Sequence, residues 1–317
     1  MENMLHVSSS PHFRSNNSTR RIMLDVIIAL IPTSIAACVI FGLRSLILIG
    51  VCVATCVLLE YVSRKIMKRD TTIGDLSAVV TGLLLALNLP VDINPLIAMF
   101  GCLIAIVVVK QMFGGIGMNF VNPALAARIV LLVSFPSQMM HWVPISGASK
   151  LDFVDGVTTA TPLVAEPGTY SYFDLFIGTC GGGSIGEVCA AALILGGIYL
   201  VIRRVISPII PCVYLATAAV MSLIVGLDPL YQLLSGGLML GAIFMATDYT
   251  TSPVTKWGKV IFACGCGIFT ILLRAYSNMP EGVSFSILLM NILVPLIERM
   301  TVPRTLGFVK KAKGEKK

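Results

Sequence analysis

The chain has 317 residues, 56% of them hydrophobic and only 12% charged, with a mean hydropathy of +0.90. A soluble domain is nearer a quarter charged, so this composition excludes a water-facing globular surface and makes the bilayer the solvent for most of the chain. The net charge of +7 does not point to nucleic acid, because the basic residues stand in short clusters between apolar runs, as membrane topology places them. Long apolar runs also exclude a β-barrel, which alternates over short segments. The fold class is an all-α polytopic membrane protein.

Residues 1–21 are polar and end in Arg20-Arg21. No cleavable signal is expected, since the apolar run from Ile22 is long enough to stay as an anchor. The first predicted span runs from Ile22 to about Gly42, with Asp25 near its start and Pro32 as a kink. The second runs from Ser45 to about Val62, before a basic cluster over 64–69. The third, about Asp75 to Leu89, is short and ends at Asn88-Leu89-Pro90. The fourth runs from Pro95 to about Val109 and stops at Lys110. The fifth, about Pro123 to Phe135, carries Arg128. A polar interval covers 136–184. Spans six to ten are Ile185 to Ile202, Pro208 to Gly226, Leu233 to Thr247, Val260 to Leu273 and Phe285 to Leu296. The chain thus divides into a segment 1–21, a first membrane unit 22–135, a loop 136–184, a second membrane unit 185–301 and a basic tail 302–317.

Counting Lys and Arg orients the chain. Arg20, Arg21, the 64–69 cluster, Lys110, Arg203, Arg204, Lys256, Lys259 and the tail fall on one side, the cytoplasmic one, together with both termini. The interval 136–184, poor in Lys and Arg, falls outside. The two membrane units resemble each other: Leu76-Ser77 matches Leu234-Ser235, Lys110 matches Arg274, and 117–120 matches 282–285. Five spans per unit is an odd number, so the predicted architecture is about ten transmembrane helices in two inverted five-helix repeats around a long extracytoplasmic loop. Such repeats place ligand and ion sites at their interface, on broken helices.

Candidate residues follow from polarity where lipid should forbid it. Asn119 and Asn122, in a Gly-rich stretch, either face a planar hydrogen-bonding ligand or satisfy their own backbone. Asp248, after the short eighth span, either lies on a Na⁺ or proton path or is a helix-end residue in headgroup water. Asp25, Glu60 and Asp75 read as helix-end residues. Arg128 either snorkels or holds a phosphate or carboxylate. Eight of the nine cysteines lie in apolar runs and read as packing residues, Cys264-Gly265-Cys266 included.

The interval also contains Asp155-Gly156-Val157-Thr158-Thr159-Ala160-Thr161-Pro162-Leu163. This stretch resembles the covalent flavinylation motif Asp-Gly-x-Ser/Thr-Gly-Ala-Thr of the membrane subunits of the Rnf electron-transport complex and the Na⁺-translocating NADH:quinone reductase. Ser10-Pro11-His12, Ala29-Leu30-Ile31-Pro32, the run 81–90, the run 115–124 and Phe244-Met245-Ala246-Thr247-Asp248 are similar to the same NqrB/RnfD family. The short N-terminal segment is most like that of the RnfD branch.

The resemblance implies FMN joined to Thr161 by a phosphoester, with Asp155, Gly156, Thr158 and Thr159 as motif residues. Thr159 stands where the family has Gly, which leaves Thr158 and Thr159 open as attachment points. It implies a riboflavin held without a covalent bond, for which Asn119 and Asn122 are the candidates. Gly182 and Gly183, ahead of the sixth span, would offer N–H groups to a phosphate at a helix N-terminus. The implied partners are the A, B, C, E and G components of the Rnf complex, a flavin transferase and membrane lipid. The implied activity is electron transfer from reduced ferredoxin to NAD⁺, coupled to Na⁺ or H⁺ translocation across the bacterial cytoplasmic membrane. Lacking a nucleotide-binding Gly motif and a ferredoxin-like Cys pattern, the chain would act only through partners. The competing reading is a secondary transporter or channel with inverted repeats and no redox role.

Overall fold

The computed structural model describes residues 18–142, 163, 170–179, 182–187, 189–277 and 282–303. Every regular element among them is helical. Helix α1 (Thr19–Phe41) starts on the side chain of Ser18, which accepts from the Arg21 N–H, and contains Pro32. It meets α2 (Leu43–Ile66) across a single residue, Gly42, whose φ of 73° suits glycine. The Ser45 hydroxyl closes this corner by donating to the Gly42 and Ala37 carbonyls at 2.7 and 3.2 Å. Then follow α3 (Ser77–Leu87) and α4 (Pro95–Leu103), which continues as a π-helical stretch, Ile104–Gln111. Helices α5 (Pro123–Ser134) and α6 (Pro136–Met139) complete the first unit. After α7 (Tyr172–Ile177), the second unit has α8 (Ala190–Ile202), α9 (Ile209–Val225), α10 (Pro229–Leu234), α11 (Leu238–Leu240), α12 (Lys256–Tyr276) and α13 (Gly282–Thr301).

Each of the ten predicted apolar segments contains helix. Four of them, α1, α2, α12 and α13, are long and apolar enough to cross a membrane. Two of the others are shorter for identifiable reasons. Helix α3, at 11 residues, rises only about 16 Å, and all of it but Val79 is buried. An apolar helix buried all round is a core helix; α1, α2, α4 and α5 pack around it. The predicted eighth span is not one helix. Helix α10 stops at Ser235, the chain turns through Gly236 (φ 67°), and α11 runs on as a π-helical stretch, Gly241–Met245.

Broken helices strand backbone carbonyls, which must find donors inside the protein. The Arg274 guanidinium of α12 supplies them, donating to the carbonyls of Gln232 and Ser235 at 2.6 and 3.1 Å. Three helix starts share one device, an Asx side chain followed by Pro: Asn94-Pro95, Asn122-Pro123 and Asp228-Pro229. The side chain caps the first turn, and Pro sits where its missing N–H costs nothing.

The sixth segment corrects an expected boundary. Helix α8 starts at Ala190, not Ile185. Residues 185–187 form a turn docked on the end of α3, with the Ile185 N–H on the Leu89 carbonyl at 3.1 Å and the Gly186 N–H on the Leu87 carbonyl at 2.7 Å. Gly182 and Gly183 therefore precede this turn and do not stand at a helix N-terminus. Cys52, Cys56, Cys102 and Cys266 are buried as packing residues, whereas Cys212 is exposed on α9.

Candidate functional site

A cavity of about 420 Å³ opens where the N-terminal end of α3, the π-helical end of α4, the 116–124 turn and the 244–250 turn meet α1 and the end of α8. Most of its wall is apolar, including Ile22, Val26, Leu84, Leu200 and Phe244. Its polar groups are few: Ser77, Thr81, Lys110, Asn119, Asn122, Thr247 and Asp248 among them. Three residues singled out in sequence, Asn119, Asn122 and Asp248, thus share one cavity, though Asp248 is more than a hundred positions from the other two. Pockets of this size and polarity suit small organic ligands.

Much of the Asn chemistry is spent on the fold. The Asn122 oxygen accepts from the N–H groups of Ala124 and Leu125, capping α5, and its amide nitrogen donates to the Met245 carbonyl at 3.3 Å. Asn119 donates to the Val121 carbonyl at 3.0 Å. Asn122 thereby ties the start of α5 to the π-helical stretch 241–245, shaping the wall between the two membrane units. Asp248 lies in the turn after that stretch and is half-buried. Its carboxylate accepts from the Thr250 and Thr251 hydroxyls at 3.1 and 3.3 Å, yet burial outweighs these bonds and pushes its pKa up.

Lys110 reaches the cavity from the π-helical end of α4. Its ammonium pairs with Glu60 at 2.9 Å and donates to the Ser77 hydroxyl at 2.6 Å, while Thr72 donates to the other Glu60 oxygen at 2.8 Å. Glu60 is fully buried, which corrects its reading as a helix-end residue in headgroup water. Asp25 is corrected likewise. It is buried, accepts from Tyr199 at 3.0 Å and pairs with Arg203 at 3.3 Å, joining α1 to the end of α8. Asp75 accepts from the backbone and hydroxyl of Ser77 and so orders the start of α3.

Arg128 does not snorkel. Its guanidinium is buried and pairs with Glu187 at 3.1 Å. It also donates to Asn88 at 2.7 Å, Ser284 at 3.2 Å and Ser184 at 3.4 Å. The carboxylate that Arg128 holds belongs to this chain. Glu187 escaped sequence reasoning; the available signal was an acid inside a segment read as a span. Its own constraint is tight, since a β-carbon on Gly237 would lie 2.5 Å from the Glu187 oxygen.

Thr161 and the motif residues Asp155, Gly156, Thr158 and Thr159 lie outside the described residues. Leu163, two positions after Thr161, is described. Its side chain packs over Gly236, at the break between α10 and α11, beside the Arg274 guanidinium.

A family model for the NQR2, RnfD, RnfE family matches residues 6–307. The chain belongs to this family. Family members similar to it include the D component of the Na(+)-translocating ferredoxin:NAD(+) oxidoreductase complex of Acetobacterium woodii, 50% identical over 98% of this chain and 98% of the relative. Its proton-translocating counterpart of Clostridium ljungdahlii is 40% identical over 96% and 97%. The D component of the ion-translocating oxidoreductase complex of Stutzerimonas stutzeri is 36% identical over 92% and 93%. The family assignment agrees with the resemblance carried by the motif residues. The chain is thus a multi-pass membrane protein of a family whose members include ion-translocating oxidoreductase subunits.

Proposed function

We propose that this chain is the D-type membrane component of an ion-translocating ferredoxin:NAD⁺ oxidoreductase, working within a complex and not alone. The observation that carries this reading is similarity to the D components of such complexes over nearly the whole length of both chains. The partners are the remaining components of that complex, A, B, C, E and G in the Rnf scheme, with a flavin transferase for maturation. The membrane is the bacterial cytoplasmic membrane, with both termini inside and the interval 136–184 outside.

Two flavins belong to the proposal. FMN is carried on Thr161 by a phosphoester, two positions before Leu163, whose side chain packs over Gly236. A riboflavin without a covalent bond takes the cavity of about 420 Å³, whose apolar walls and sparse polar rim fit a flat, amphipathic ring system. A bound flavin supplies one- and two-electron transfer that no side chain can provide. The protein's own part is to hold and shield. Asn122 fixes the wall, Thr81 and Asn119 offer polar contacts, and Lys110, its charge neutralised by Glu60, lines the cavity as a further polar group. Asp248, with its raised pKa, is the group there able to take up a proton or meet a cation.

The ten helical segments are read as ten spans in two inverted repeats. Independent contacts support the pairing made in sequence. Lys110 donates to Ser77, and the matched Arg274 donates to the carbonyl of the matched Ser235. Helix α1 packs on α8 and α5 on α13, each against its counterpart.

In-gel flavin fluorescence of the denatured protein, co-expressed with a flavin transferase, tests the covalent site. A fluorescent band that disappears in Thr161→Val is expected. A band that survives Thr161→Val and disappears in Thr158→Val or Thr159→Val moves the attachment point. No band at all returns the chain to the transporter reading.

A further inference from the structure

Among the described residues, the basic end of the protein holds a buried arginine without an acid to pair with. Arg64, in the last turn of α2, is 8% exposed. Its Nη1 reaches only the Asp70 carbonyl, at 3.5 Å, and its Nε has no partner. Its Nη2 lies so close to Gly115 that a β-carbon there would overlap it. Arg69 comes from the loop after α2 and is exposed, and its guanidinium donates to the Gln111 carbonyl at 3.3 Å. The Gln111 side chain is 0% exposed, and neither its oxygen nor its nitrogen has a partner. Two guanidinium groups thus converge on the turn 111–115. Among the described residues no carboxylate lies within 4.0 Å of either. Glu60 and Asp75 are engaged elsewhere, by Lys110 and Ser77.

A buried cation lacking a counter-charge is strongly disfavoured. Drawing a second cation to the same turn adds repulsion, and a buried amide with both atoms idle adds a further cost. One anion answers the two charges and the idle amide nitrogen, because guanidinium groups and an amide N–H are donors that suit phosphate oxygens. We propose that Arg64, Arg69 and Gln111 form a binding site for an anionic phosphate group, that of a phospholipid headgroup in the adjoining leaflet. Lipid is favoured over free phosphate by the neighbours in the chain. Ile66, Met112 and Phe113 are large, apolar and exposed on a protein whose solvent is the bilayer, so acyl chains have surface to lie on beside the charge. Basic pockets between membrane helices hold acidic headgroups in this way.

The test uses the full-length protein, delipidated in detergent. Phosphatidylglycerol, phosphatidylcholine of the same acyl chains and sodium phosphate are titrated separately, and the thermal unfolding temperature is read. A saturable rise with phosphatidylglycerol is expected, larger than with either of the others. Arg69→Gln, at an exposed position, weakens the apparent affinity roughly fivefold. Arg64→Lys keeps the charge but loses the fork and weakens it in part. An equal response to both lipids, or a phosphatidylglycerol response unchanged in both variants, overturns the proposal. A response to sodium phosphate as large as that to lipid overturns the lipid assignment. An anionic-lipid effect absent from this chain, with Arg69→Gln instead loosening a partner protein, overturns it in favour of a partner carboxylate.

Discussion

At the scale of single residues, the buried ion pairs are the least legible part of the molecule. Glu60 reads as a helix end and Glu187 goes unread, because a sequence shows where a charge lies along a helix but not which neighbour faces it. Glu60 and Glu187 each meet a cation from a distant helix, Lys110 and Arg128. Removing one member of a buried pair leaves the other uncompensated, at about 3–5 kcal/mol. Glu187→Ala is accordingly expected to lower stability by that order, read from denaturation in detergent. Replacing Arg128 and Glu187 together by Met is expected to cost less than the two single losses added. Asp248 goes the other way. It lies in a turn outside the helices, with its pKa raised above the ordinary value of 3.8. The folded state then binds its proton more readily than the unfolded state, so stability rises as pH falls through the raised pKa. Asp248→Asn is expected to raise the unfolding temperature at neutral pH, and the gain is expected to shrink towards zero as pH approaches the ordinary carboxylate range.

At the scale of elements, the sequence is informative where local chemistry decides. Pro95 and Pro123 open helices where the predicted spans begin, and Gly42 marks the corner between α1 and α2, whereas the helix start at Asp228-Pro229 precedes the span predicted from Leu233. The π-helical stretches and the break in the eighth segment are not legible, because they depend on tertiary partners such as Arg274 that fill the freed carbonyls. Close packing of the central helix gives a paired prediction. A β-carbon on Gly82 of α3 would stand 2.9 Å from the Cys52 carbonyl oxygen and from the Val53 Cα of α2, whereas one on Gly50 of α2 meets nothing within 4 Å. Gly82→Ala must push backbone from backbone and is expected to cost about 1–3 kcal/mol. Gly50→Ala is expected to be neutral or to stabilise by up to about 1 kcal/mol, since Ala has less backbone entropy to lose. Thermal unfolding of the two variants side by side makes the comparison, and equal effects would remove the close α2–α3 approach as the reason.

At the scale of the whole molecule, charge and hydropathy carry furthest because they average over many residues. The end where the cavity opens gathers the termini of α1, α2, α4, α8 and α12 that carry Arg20, Arg64, Lys110, Arg203 and Lys256. The opposite end carries Asp92, Asp174 and Asp228, with Tyr172 donating to Asp228 and Arg44 paired to Asp92. Basic residues stay on the cytoplasmic side because translocating them is costly. If the two membrane units are inverted repeats, this asymmetry must hold separately in each, since each unit has its own basic end. That condition is testable with a reporter enzyme active only outside the cytoplasm. Fused between Met67 and Asp70, or between Arg203 and Val205, it is expected to be inactive. Fused at Asp92, in the interval 143–162 or at Asp228, it is expected to be active. Residues 67–70 and Asp228 follow matched segments of the two units, so the same answer from both would mean that the repeat is not inverted.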